Sequence, residues 1–86
     1  MPERTDDEMV LKLVERSRLL IALSEEIPTE TKLQTQPLLK QLEQLLAADD
    51  RDVGRIHATH ALLCRELQEF ADLDALLGAM ENFLPS

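Results

Sequence analysis

The stretch IHATHALLCRELQEFADLDALLGAMENFL, residues 56–84, carries the pattern that decides the fold. Ile56, Leu63, Phe70, Leu77 and Leu84 recur every seven residues, and Leu67, Leu73 and Met80 supply much of a second seam. Apolar residues at that interval line one face of a helix. The pattern therefore describes helices lying lengthwise against other helices.

The rest of the chain agrees. Its 86 residues are 44% hydrophobic, Leu dominates that fraction, and Phe70 and Phe83 are the only aromatic residues. A Leu- and Ala-rich chain with two glycines favours helix, whereas strands need more β-branched and aromatic residues. The length predicts a single helical domain, 1–86, whose modest core often gains stability from a partner or from self-association.

A first helix is expected over residues 6–26, with Thr5 as N-cap, Glu8 at its capping-box position, and Asp6 and Asp7 at the end where the helix dipole favours acids. Val10, Leu13, Val14, Leu20 and Ile27 make its stripe, with Ser17 and Ser24 inside it and Leu19 and Leu23 widening it. Pro28 pushes its predecessor out of the helical region. Pro37 reads best as the first turn of a second helix over 37–48, because an interior proline costs about 3 kcal/mol. Thr29 could cap a helix through Lys32 and Leu33, but Pro37 would then fall inside it, so 29–36 is expected to be a loop with room for one helical turn. Leu38, Leu39, Leu42, Leu45 and Leu46 form the second apolar face. Asp49 or Asp50 caps a third helix over 51–83. Within it Gly78 costs about 1 kcal/mol relative to Ala, and Asp72 and Asp74 mark where such a helix would break.

These lengths do not match. At 1.5 Å per residue the three helices measure roughly 32, 18 and 50 Å. The fold is thus expected to be all-α, a three-helix bundle or a long helical hairpin with an extended C-terminal helix, completed by dimerisation if nothing else covers it. Leu73, Leu76, Leu77, Met80, Phe83 and Leu84 form an apolar face that should not stay in water. Either the chain folds back near Asp72, the 28–36 loop covers the face, or a second polypeptide does. These six residues are the expected partner-binding surface.

The formal net charge is −8, and no Lys or Arg follows Arg65, while Glu66, Glu69, Asp72, Asp74 and Glu81 do. Nucleic-acid binding needs cations to displace counterions from phosphates, and an acidic surface repels nucleic acid and anionic lipid alike. No apolar run approaches the 20 or so residues that span a bilayer. With a single cysteine, Cys64, and no signal-peptide pattern, the chain reads as cytoplasmic.

Chemistry-bearing residues are sparse. His57, His60 and Cys64 lie at i, i+3 and i+7 on one helical face, and imidazole and thiolate are good zinc ligands. Paired Cys or His ligands from different elements are missing, so a structural role for the three outweighs a metal site. His60 sits between Ile56 and Leu63, as a core-edge residue would. Cys64 lacks the orienting residue and oxyanion donor that a nucleophile needs. No Glu-x-x-His pair points to a di-metal carboxylate site, and a recognition helix over 51–65 would hold too few donors for DNA.

The expected function is that of a small, acidic, non-catalytic protein–protein interaction module, an adaptor, chaperone-like protein or anti-regulator, with no cofactor. Its partner is another protein or a second copy. A metal- or redox-responsive regulator using His57, His60 and Cys64 is the competing expectation, and a small stand-alone structural domain is a third.

Overall fold

In the computed structural model, which describes residues 2–85 and their side chains from Asp7 onward, four helices follow one another. They are α1 (Pro2–Leu23), α2 (Thr29–Ala47), α3 (Val53–Leu67) and α4 (Ala71–Glu81). The all-α expectation holds; the expectation of three helices does not.

The largest correction falls inside the heptad stretch. A helix running unbroken over 51–83 would leave its last dozen residues uncovered. Instead the chain turns at residues 68–70, where Phe70 donates its backbone N–H to the Leu67 carbonyl and then accepts from Asp74 to open α4. The energetics favour the turn. Interrupting the helix forfeits a few backbone hydrogen bonds at about 1 kcal/mol net each. Burying Leu73, Leu77, Met80 and Leu84 returns about 2 kcal/mol per side chain. Asp72 and Asp74 then occupy the first turn of α4, where acids complement the dipole.

The second correction is α2. Residues 28–36 are no loop: the helix starts at Thr29 and runs through Pro37. Pro37 and Leu33 are both exposed, so the carbonyl that the proline leaves unbonded turns toward water instead of the core. The helix gains tertiary bonds in exchange. Lys32 Nζ donates to the Ala22 carbonyl at 3.4 Å and Gln36 Nε2 to the Arg18 carbonyl at 3.4 Å. Thr35, fully buried, donates its hydroxyl to the Thr31 carbonyl at 2.8 Å.

Smaller shifts occur at other ends. α1 begins at Pro2, so Thr5 lies within the helix and not at its cap. It stops at Leu23, where Ser24 Oγ accepts from the backbone N–H groups of Glu26 and Ile27. Asp52, not Asp49 or Asp50, caps α3 by accepting from Arg55 N–H at 3.1 Å. Gly78 lies within α4 with open space where a Cβ would sit, so its cost is one of helix propensity alone.

The helices close a ring: α1 packs on α2 and α4, and α3 on α2 and α4. Arg51, at the α2–α3 corner, pairs with Asp7 near the start of α1. His57, near the start of α3, meets Pro85 beyond the end of α4. The α1–α2 and α3–α4 corners come together at the opposite end. Successive helices are therefore antiparallel, in a body of 38 × 18 × 17 Å.

The core draws on every helix: Val10, Val14 and Ile21; Leu39, Leu42 and Leu46; Ile56, Leu63 and Leu67; Leu73, Leu77 and Met80. Leu38 and Leu45 are half-buried at its edge. Among the described residues, no buried side-chain nitrogen or oxygen lacks a hydrogen-bond partner.

Candidate functional site

The six residues expected to bind a partner separate in the structure. Leu77 and Met80 are fully enclosed, Leu73 and Leu84 are buried, and Leu76 and Phe83 are half-buried against the same core. Folding back at residues 68–70 lays α4 on α1 and α3, so this chain covers the face itself. The length mismatch that pointed to a partner there is gone.

His57, His60 and Cys64 share a face of α3 but are engaged differently. His60 is 6% exposed, and its Nε2 lies 2.8 Å from the Leu77 carbonyl. A carbonyl only accepts, so this nitrogen carries the proton and donates. His57 uses Nε2 likewise on the Pro85 carbonyl at 2.6 Å. Each histidine ties α3 to α4 or to the tail after it. Cys64 Sγ lies 3.8 Å from His60 Nδ1. Burial pushes the Cys64 thiol up, and the nearby carboxylates of Glu81 and Asp74 raise it further. An environment that favours the thiol opposes both nucleophilic attack and metal ligation. Among the described residues, no three His, Cys, Asp or Glu side chains converge as a metal would require.

The structure instead opens a groove that the seven-residue pattern does not single out. Leu20 and Leu23 from the last turn of α1, Ile27 from the corner after it, and Phe70 and Leu73 from the start of α4 enclose about 520 Å³. Of the six expected residues, Leu73 alone belongs to it. Leu23 is 78% exposed and Leu20 36%. Ser24, Glu25, Glu26 and Asp72 line it too, so the lining is mixed apolar and polar, and no Lys or Arg is part of it.

A sequence signal for this groove exists. Val10, Val14, Ser17 and Ile21 advance by four, three and four residues, the true helical seam, and all four are buried. Extending that seam takes Ile21 into the core and leaves Leu20 and Leu23 outside. A strict seven-residue stripe through Leu13, Leu20 and Ile27 hides this.

The described residues form an all-helical protein with a groove at one end lined by apolar side chains and three acids. No family model, curated protein or solved structure matches the chain. None of its described helices is long and apolar enough to cross a membrane.

Proposed function

We propose that this chain is a non-catalytic protein–protein interaction module whose docking surface is the groove between the end of α1 and the start of α4. The carrying observation is Leu23, a large apolar side chain 78% exposed beside Leu20 on the wall of an open apolar groove. Single exposed leucines are ordinary on protein surfaces. Apolar side chains gathered around a concave floor with a polar rim mark binding sites.

The test is selection of random peptides displayed on phage against the native protein and against Leu23→Asp. Leu23 touches solvent over most of its surface, so the variant keeps its fold. Peptides enriched on the native protein and lost on the variant support the reading. Equal enrichment on both proteins, or none on either, removes it.

A further inference from the structure

The groove's electrostatics narrow the class of partner, and this narrowing rests on the interaction reading of the groove. A helix ends in carbonyls that carry partial negative charge, which a cation in the last turn normally offsets. The last turn of α1 has no basic residue. Lys32 approaches from α2 and takes the Ala22 carbonyl at 3.4 Å, and Arg18 is drawn instead to Glu15 at 2.6 Å. Just past this negative end come Glu25 and Glu26, both exposed. Asp72 has a local reason for its place, at the amino end of α4. Glu25 and Glu26 gain nothing comparable from the carbonyl end of α1. The start of α4 adds no cation to the groove lining. Lys32 and Arg65, the latter in the last turn of α3, lie at this end but do not line the groove, whose charged lining residues, Glu25, Glu26 and Asp72, are all acidic.

We infer that the groove takes a positively charged, apolar-anchored segment of another protein. Its large aliphatic or aromatic side chains pack between Leu23 and Phe70, and its Lys or Arg side chains meet Glu25, Glu26 and Asp72. A second copy of this chain is a poor occupant. A two-fold interface through the groove would set Glu25, Glu26 and Asp72 against their own counterparts, between molecules that each carry a net charge of −8. A basic segment relieves the same repulsion on arrival and is steered by it beforehand.

The experiment uses the full chain and four fluorescein-labelled peptides of equal length. One is amphipathic with Leu and Lys, one has Glu in place of Lys, one has Gln, and one is the Leu/Lys composition scrambled to destroy the apolar face. Binding is read by fluorescence anisotropy at low and physiological salt, with light scattering for oligomeric state. The Leu/Lys peptide is expected to bind, at least tenfold more weakly at the higher salt. Leu23→Ser, which removes the apolar anchor without adding charge, should weaken it a further tenfold or more, and Glu25→Lys/Glu26→Lys should reverse the preference toward the Leu/Glu peptide. Equal binding of the Leu/Glu or Leu/Gln peptide overturns the basic-partner inference and leaves the interaction reading standing. Equal binding of the scrambled peptide also overturns it, by showing diffuse charge attraction without a groove. A dimer dissolved by Leu23→Asp overturns it in favour of self-association. If no peptide binds and the protein is monomeric, the inference and the interaction reading at this groove fall together.

Discussion

The two ends of the molecule differ in how completely their own side chains close them, although Lys32 bonds across to the Ala22 carbonyl at the more open one. At one end, Asp7 pairs with Arg51 across the α1 start and the α2–α3 corner, His57 holds the Pro85 carbonyl, and Leu84 tucks under at 8% exposure. Polar side chains there reach across to backbone and to one another. At the other end, two corners meet over an open groove, Leu23 stands in solvent, and the acids on its rim have no cation of this chain among the lining residues. Both ends join helices with short connections, so connection length does not explain the difference. The sequence segments do: the closed end receives Arg51 and His57, while the open end receives Glu25, Glu26 and Asp72. An end stabilised by its own contacts has little left to offer a partner. An end with apolar area and unbalanced charge has both.

Breaking the contrast outright requires a core substitution. Leu77→Asp places an unpaired charge at a fully buried site and should cost several kcal/mol, enough to unfold a domain this small. Leu23→Asp, in the same chemistry at the open end, should change stability by no more than about 0.5 kcal/mol. Urea denaturation followed by circular dichroism separates the two, and similar losses for both would show that Leu23 is part of the core.

His60→Ala tests the tie between α3 and α4. It removes the side chain that bonds the Leu77 carbonyl and empties a buried site. The expected loss is about 2 kcal/mol. A loss below 0.5 kcal/mol, on a scale where surface changes fall (about ±0.5), would assign His60 no structural role and reopen the metal- or redox-responsive reading.

Arg51→Ala loosens the closed end more gently. The Arg51–Asp7 pair is only partly shielded, with side chains 31% and 21% exposed. A loss of under about 1 kcal/mol is expected, shrinking as salt is added. A loss that persists in molar salt would mean that the arginine stem packs, rather than that its charge pairs.

The smallest effect concerns reactivity alone. Because burial, Glu81 and Asp74 hold the Cys64 thiol above its ordinary range, less thiolate is present at any given pH. Alkylation by iodoacetamide should be slower than that of an unstructured cysteine peptide and should reach its half-maximal rate at higher pH. Glu81→Gln should move that midpoint back down. The sign for stability is fixed by the same shift: the folded state holds this proton more tightly, so any stability it contributes is present below the ordinary thiol range and lost as pH rises through the folded one.

Much of the architecture is legible residue by residue. The helical class follows from Leu-rich composition and few β-branched residues. Ile56, Leu63, Leu77 and Leu84 share one register, and all four are buried, with Phe70 half-buried between them. His60 has the spacing of a core-edge residue and is one. The corner at residues 68–70 is harder to see, because a seven-residue repeat passes through it without interruption; Phe70 keeps its place in the pattern while ending one run and capping the next helix. The acids at Asp72 and Asp74 are the one local hint. For Pro37 the local rule points the wrong way, since the bonds from Lys32 and Gln36 to α1 span 10 and 18 residues and no local window contains them.

The groove is the least legible feature, and the reason is physical. Leu20, Leu23, Ile27, Phe70 and Leu73 are apolar residues at helix ends, indistinguishable in sequence from core. Whether such a residue is buried depends on which neighbour arrives over it. Ile21 meets that neighbour and Leu23 does not. Sequence alone determined that this chain would be helical, acidic and amphipathic, because propensity, charge and periodicity are properties of the residues themselves. Only the tertiary structure decided which apolar residues are spent on the fold and which stay exposed. Burial belongs to pairs of surfaces, and α4 found its partner in α1 and α3 when the chain turned back at residues 68–70.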